Sequence, residues 1–526
     1  MADRLIDHRS LGLLALGIIS VLVLFSRVSV NSAASRPRIS CSSSAACMRL
    51  IHAILFSRAL ISVRAFRPMR RALQQSSEYS VDSEIEDMIK SPAPPRKFVE
   101  FPFRYHEELT LKIESLSNLG LGVARHRLDD GQLWVVMVPL ALPGETVKAK
   151  VFRNHKSYSE ADITDIVEPS MDRVKPECEY FQICGGCQYQ HLSVPAQREW
   201  KRLQVVSVLE RIGGITGVHV NATVGTDEHY KYRTKITPHY DAPKRVEELK
   251  IGFQKRGTRI MIDIPNCVIA TDAINDKYAE LRNTIKTSMH SKIPKKGATL
   301  ILRGKVIRFA DYMLLKFTKY VECEEGVATD HREMISQRVN GILFRFKAGE
   351  FFQNNHYVLP IMVSHVLSKA SGDGCTHLID AYCGSGLFSL CGSKYFESVT
   401  GVEVSELAVN AAKVTAKDNN VINANFVCSS SEGIFDHVKH LPPMKTCVII
   451  DPPRKGCDEV FLKQLFDFSP KKIVYVSCDP ATQARDAQSI VQAGYSIRDC
   501  TPFDLFPQTR HIENVISFMK EGEDHE

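Results

Sequence analysis

The chain has 526 residues, more than one ordinary domain holds, so three or four domains are expected. Its 44% hydrophobic and 24% charged content is that of a globular protein. The formal net charge is +7, but residues 1–77 carry +9 and residues 78–526 carry −2. This excludes a globally basic body, and any nucleic-acid surface on it must be local.

Residues 1–77 hold eleven Arg, no Lys and only Asp3 and Asp7 as acids. A Ser-, Arg- and Ala-rich, acid-poor leader has the composition of an organelle transit peptide. Leu11 to Phe25 is an apolar run of 15 residues, short for a membrane span and suited to a signal-peptide core. A second apolar run, Met48 to Phe56, is followed by Ser62-Val-Arg-Ala-Phe66. That order is similar to the bipartite presequences of proteins sent to complex plastids. Import into an organelle is expected, a plastid in preference to a mitochondrion. The alternatives are a cytoplasmic protein, or translation that begins at Met48 or Met69. The mature chain is expected to make no stable membrane association and to be a monomer.

Residues 78–104 read as a linker. They are polar and include Ser91-Pro-Ala-Pro-Pro95, a flexible, partly extended stretch. Residues 105–169 then alternate apolar and polar. Leu109–Ile113, Leu133–Val138, Thr146–Val151 and Glu160–Val167 are strand-like, with Gly120, Gly122, Gly131 and Gly144 between them. Short strands at this spacing predict a small OB-like β-barrel. Arg125, Arg127, Lys148, Lys150, Arg153 and Lys156 on it would suit a nucleic-acid backbone, or would be a solvated charge set.

Residues 170–334 mix short strands and helices, an α+β composition. Pro195 to Gly213 is expected to be helical with Leu203, Val206 and Leu209 on one face. Cys178, Cys184 and Cys187 follow the spacing Cys-x5-Cys-x2-Cys, with Cys267 as a distant fourth. Thiolates this close repel one another unless a metal neutralises them, and all-thiolate sites favour zinc or iron–sulfur. The other cysteines of the fifteen lie mostly in apolar segments and are expected to stay reduced. Tyr230–Lys235 and Phe253–Arg259 interleave aromatic and basic residues. Unstacked bases can sit on such rings while the cations hold phosphates.

Residues 335–526 alternate helix and strand. The expected order is helix Pro360–Ser371, strand Thr376–Ala381, helix Leu407–Asn419, strand Thr446–Ile450, helix Phe461–Phe468 and strand Lys472–Ser477. Such winding predicts an α/β domain on a mostly parallel sheet. Ligands of these sheets collect beyond the carboxyl ends of the strands. Four segments put chemistry there. Asp380-Ala-Tyr-Cys-Gly-Ser-Gly386 is a Gly turn after a strand, and Glu403 closes the next strand about twenty residues on, where an acid grips ribose hydroxyls. The third Gly of the dinucleotide fingerprint is missing, which argues against NAD. Asp451-Pro-Pro-Arg-Lys leaves a strand as a rigid extended turn. Cys478 ends the last of these strands, before Asp479-Pro480 turns the chain away. A polar loop, Pro502 to Glu513, leads to apolar Val515–Phe518.

A nucleophilic Cys and a carboxylate beside an adenosyl pocket match a specific problem. Carbon 5 of uracil is a poor nucleophile. Thiolate addition at carbon 6 turns it into an enolate that can take a methyl group, and a base must then remove the hydrogen on carbon 5. These segments, with Gly349-Glu-Phe-Phe-Gln-Asn-Asn355 and Phe506-Pro-Gln-Thr-Arg-His-Ile-Glu513, resemble the RNA uracil-5-methyltransferase family over residues 100–520. The resemblance implies a Rossmann-like class I methyltransferase domain at 335–526, a TRAM-type barrel and a central α+β domain. It implies Cys478 as nucleophile, Glu513 as base, and Gln353, Tyr382, Glu403 and Asp451 as contacts of S-adenosylmethionine. It further implies that Cys178, Cys184, Cys187 and Cys267 hold a [4Fe-4S] cluster, as in the rRNA-methylating branch. Leu387 departs from the pattern, because many members have Asn there. The expected substrate is a uridine in rRNA or tRNA, with the cysteine spacing tilting towards rRNA. A protein that binds or folds RNA, with methylation incidental, is the alternative.

Overall fold

The computed structural model describes residues 98–243, 245–289, 296–305 and 326–521. The expected presequence and most of the linker lie outside the described residues.

Six strands open the described chain: Glu108–Lys112 (β1), Ser115–Leu116 (β2), Leu121–Arg127 (β3), Leu133–Pro139 (β4), Thr146–Asn154 (β5) and Tyr158–Glu168 (β6). Their order is β1-β5-β6-β4-β3-β2. Because β2 continues β1 after a two-residue break, the ends of that order meet and the sheet closes on itself. Alternate residues point inward, so Leu111, Val136, Val138, Val147, Ala149 and Val151 form the barrel core. Of the glycines at 120 and 122, expected to separate strands, Gly120 lies just before β3 and Gly122 within it. A Cβ on Gly122 would come 2.8 Å from the Ala141 Cβ, so glycine is needed there for close approach rather than for a turn.

The central residues fold into small sheets. Ile251–Gln254 (β9) pairs with His239–Tyr240 (β8) and with Met261–Asp263 (β10), and Ala298–Thr299 (β11) completes that sheet. Lys235–Ile236 (β7), Leu302–Gly304 (β12) and Val327–Ala328 (β13) make a second sheet, and Met334–Val339 (β14) with Ile342–Lys347 (β15) a hairpin. Two helices accompany them, Val194–Arg211 (α1) and Asp272–Met289 (α2). Helix α1 forms where expected, but its buried side differs. It buries Gln197, Lys201, Gln204, Val205 and Leu209, whereas Leu203 and Val206 are only half-buried. The face is polar because it meets polar groups.

The remaining strands are His377–Ala381 (β16), Ser398–Glu403 (β17), Ala424–Cys428 (β18), Thr446–Ile450 (β19), Lys472–Ser477 (β20), Tyr495–Phe503 (β21) and Glu513–Lys520 (β22). They form one sheet in the order β18-β17-β16-β19-β20-β22-β21, parallel except for β22, which runs antiparallel to β20 and β21. The helices are Leu359–Ala370 (α3), Leu387–Gly392 (α4), Glu406–Asp418 (α5), Glu459–Phe468 (α6) and Pro480–Gln492 (α7). Both faces of the sheet are covered. Leu378, Ile449 and Val474 enter one core, and their neighbours Ile379, Val448 and Ile473 enter the other. This is why these strands read as unbroken apolar runs. The order reverses between β16 and β19, and the crevice at that reversal is where ligands bind in such sheets. The fold is the expected Rossmann-like methyltransferase arrangement, joined to an OB-like barrel and a central α+β region. Among the described residues no helix is long and apolar enough to cross a membrane.

Candidate active site

The Gly turn after β16 takes an unusual path. Tyr382, Gly384 and Gly386 all have positive φ, at +64°, +55° and +84°. Gly386 caps α4 in the left-handed region, which a Cβ would disfavour. Glu403, at the end of β17, ties the turn to its neighbour. Its carboxylate accepts from the Gly384 N–H at 3.1 Å and from the Ser405 N–H at 2.9 Å. The Tyr382 ring stands edge-on to Phe461, 5.3 Å between centroids. Beneath the turn, Asp380 is fully buried. One of its oxygens accepts from Ser389, at 2.9 Å from N–H and 2.6 Å from the hydroxyl, and the other has no hydrogen-bond partner among the described residues. Burial pushes the Asp380 carboxyl up to about 7. Asp380 has no role assigned from the sequence; its partner Ser389 lies beyond the Gly turn, in α4.

Asp451 follows β19 directly. Burial first, and then the nearby Asp380 charge, raise it to about 7. The loop it opens is tethered to α7: Thr482 Oγ1 donates to the Arg454 carbonyl at 3.1 Å and Arg485 to the Lys455 carbonyl at 3.0 Å. Asp479-Pro480, expected as a simple turn, starts that helix. Asp479 accepts from the Ala481 and Thr482 N–H groups, and Pro480 occupies the first helical position, where its missing N–H costs nothing.

Cys478 sits between β20 and this cap, half-buried. The β20–β22 register pairs Ser477 with Asn514, which sets Cys478 and Glu513 beside each other at the adjoining strand ends. Burial lifts the Cys478 thiol to about 11, Glu513 and Asp451 add to the rise, and Arg454 opposes it. Glu513 is buried, and desolvation followed by Asp451 raises its carboxyl to about 8. Asp380, Asp451 and Glu513 thus form a crowded acidic wall, which favours a cationic ligand and holds protons near neutrality. Gln353 lies half-buried in the Gly349–Asn355 stretch. That stretch is fixed by Asn355, which donates to the Leu505 carbonyl at 3.0 Å and accepts from the Tyr357 and Val358 N–H groups.

Tyr232, expected among the base-stacking aromatics, is fully buried and donates to the Pro507 carbonyl at 3.0 Å, so it is not available to a base. Phe253, Lys255 and Arg259 do meet solvent. With His239 and Gly185–Gly186 they line a cavity of about 660 Å³.

The four predicted ligand cysteines lie close enough to perturb one another. Burial raises each thiol, Cys187 to about 12, and Cys178, Cys184 and Cys267 push Cys187 further up. Cys184 bridges to Lys255, and Cys267 is held by Asn275, which accepts from its N–H at 2.9 Å. Among the described residues no group of three or more His, Cys, Asp or Glu is spaced to hold a metal ion.

The sequence and fold are similar to those of known proteins. A family model described as tRNA (Uracil-5-)-methyltransferase matches residues 328–521, and a TRAM domain model matches residues 105–164. A Schizosaccharomyces pombe protein named tRNA (uracil(54)-C(5))-methyltransferase is 37% identical over 482 residues, spanning 88% of this chain and 86% of the relative. A Saccharomyces cerevisiae protein of the same name is 35% identical over 474 residues, 78% of this chain and 74% of the relative. The fold is similar to the crystal structure of Pyrococcus abyssi tRNA (uracil-54, C5)-methyltransferase in complex with S-adenosyl-L-homocysteine. The TM-score is 0.57 at 24% identity, over 78% of this chain and all of the other.

Proposed function

The chain belongs to the RNA uracil-5-methyltransferase family of S-adenosylmethionine-dependent enzymes, and on that premise we propose that it methylates a tRNA uridine through a covalent bond to Cys478. The observation that carries this reading is the placement of Cys478 and Glu513 at adjoining strand ends, beside the crevice of the Gly turn. S-adenosylmethionine supplies the methyl group. Gln353, Tyr382, Glu403 and Asp451 hold it, with Glu403 for the ribose hydroxyls. The acidic wall of Asp380, Asp451 and Glu513 suits its sulfonium charge.

The target uridine leaves its stack, at a cost of a few kcal/mol, to reach the half-buried thiol. Cys478 loses its proton and its sulfur bonds carbon 6. The electron pair of the 5,6 double bond moves to carbon 5, which takes the methyl group as the methyl–sulfonium bond breaks and leaves S-adenosylhomocysteine. Glu513 then removes the proton on carbon 5, the double bond re-forms, and the carbon–sulfur bond breaks to release the thiolate. Arg454, the group that opposes the rise in the Cys478 thiol, favours the thiolate at both ends of this sequence.

The curated relatives named for uracil 54 of tRNA favour that substrate over the rRNA suggested by the cysteine spacing. The test is transfer of labelled methyl to a tRNA transcript. Uridine 54 replaced by cytidine should abolish it, whereas labelling of rRNA alone would reverse the assignment.

The family resemblance supports a [4Fe-4S] cluster, and Cys178, Cys184 and Cys267 lie near enough to Cys187 to raise its thiol. Cys178, Cys184, Cys187 and Cys267 would hold it in a structural role. Anaerobic protein should contain about four irons per chain, and zinc in their place would refute the cluster. Residues 1–77 fit an import leader, which fusion to a fluorescent protein tests.

A further inference from the structure

The base arrives on a loop that another part of the chain holds from outside. The segment from Asp504 to Ile512 joins β21 to β22, and Glu513 opens β22 opposite Phe503. This loop is polar yet lies in the interior, with Asp504, Gln508 and Thr509 no more than 2% exposed. Its polar groups are matched by α1 and its neighbours. Lys201, with no exposed surface, donates to Asp504 Oδ1 at 2.5 Å and to the Phe506 carbonyl at 3.2 Å. Arg198 faces the other Asp504 oxygen at 3.7 Å. Gln197 and Gln508 bond each other twice, each at 3.0 Å. The Gln188 and Tyr189 N–H groups both donate to the Gln508 carbonyl at 3.0 Å.

A fully buried ammonium is a poor way to gain stability, because desolvation offsets the ion-pair attraction. An apolar face on α1 would pack as well. What the charge provides is a fixed register: an unpaired buried charge forbids sliding of the loop relative to the helix. The anchored residue matters for the same reason. Asp504 is next to Phe503, which pairs with Glu513, so a shift of Asp504 moves the end of the hairpin that presents the carboxylate. A misplacement of about 1 Å can cost a catalytic group about a hundredfold in rate.

We propose that Lys201 is a positioning residue for the base: through Asp504 and the Phe506 carbonyl it fixes the loop that delivers Glu513 to carbon 5 of the uracil. The proposal rests on the reading of Glu513 as that base. It assigns Lys201 to one half of the reaction only. Attack by Cys478 and methyl transfer do not pass through the loop, and release does.

The test is a single-turnover reaction of the full chain with S-adenosylmethionine and a tRNA transcript. The denaturant-resistant RNA–protein adduct is followed over time in wild type, Lys201→Met and Glu513→Gln. In Lys201→Met the methylated adduct should form at close to the wild-type rate and persist about tenfold longer or more. A purely structural role would slow formation and release together. Either that result, or release at the wild-type rate, overturns the proposal. If Glu513→Gln also releases freely, the base assignment itself is wrong. If only Glu513→Gln stalls, the base stands and the role of Lys201 is refuted. Should Lys201→Met fold poorly, the pair Lys201→Met with Asp504→Asn removes both buried charges at similar volume, and it carries the same prediction.

Discussion

Cys478 and Glu513 stand one residue beyond and within an antiparallel strand pair, set by the Ser477–Asn514 register. Glu513 adds to the rise of the Cys478 thiol, and burial with Asp451 raises Glu513, so the pair holds protons that the reaction must remove. The reaction is therefore expected to speed up with pH. Release needs ionised Glu513 and should rise towards pH 8, then level; adduct formation needs the thiolate and should keep rising, because the thiol sits near 11. Single-turnover rates from pH 6 to 9 check this, and rates that fall over that interval would contradict it.

Glu513 also links stability to pH. Its folded-state value is raised from 4.5 to about 8, so the folded protein binds the proton more tightly than the unfolded chain. That contribution is fully present below 4.5 and is lost as pH rises towards 8. Glu513→Gln, which mimics the protonated acid, should melt with wild type at pH 4.5 and above it at pH 8. The gap grows by at most about 1.4 kcal/mol per pH unit. Thermal melts at both pH values decide it, and a constant gap would count against the buried carboxyl.

The acidic wall predicts an ionisation-dependent cofactor. Asp380 and Asp451 sit near 7, and a sulfonium ligand favours their charged forms. Affinity for S-adenosylmethionine should increase from pH 6 to 8 with release of protons. Affinity for S-adenosylhomocysteine, which lacks the sulfonium charge, should change much less. Titration calorimetry in two buffers of different ionisation heat reads both quantities, and equal pH dependence of the two ligands would contradict the assignment.

Gly401 lies beside Asp380 in the β16–β17 register, behind the Gly turn. A Cβ there would meet the Phe426 ring at 2.7 Å and the Cys383 sulfur at 2.9 Å. Gly401→Ala should destabilise the protein by about 1–3 kcal/mol by overpacking and weaken cofactor binding by displacing Cys383. Adding Phe426→Leu should recover part of both losses. Melting and cofactor titration of the single and double variants measure this.

Much of the site is legible in the sequence because strand ends carry local marks. Glu403, Asp451 and Cys478 each close an apolar run, and the runs stay apolar because the sheet is covered on both faces. The Cys478–Glu513 pairing is less local, since it depends on β22 running antiparallel beside β20. Strand β3 is hidden by Gly122, whose role is close approach to Ala141. The polar face of α1 is hidden because Lys201 and Gln197 read as solvent-facing until Asp504 and Gln508 meet them. Helical periodicity reports apolar burial, and charges buried in pairs leave no periodic trace.

The central claim is a covalent bond between Cys478 and carbon 6 of a uracil. A tRNA transcript containing 5-fluorouridine tests it most directly, because fluorine cannot be removed as a proton and the adduct cannot resolve. With S-adenosylmethionine the wild-type protein should give a denaturant-resistant complex whose RNA maps by mass spectrometry to the peptide containing Cys478, and Cys478→Ala should give none. An adduct of equal yield in Cys478→Ala, or one mapped to another cysteine, would contradict the account.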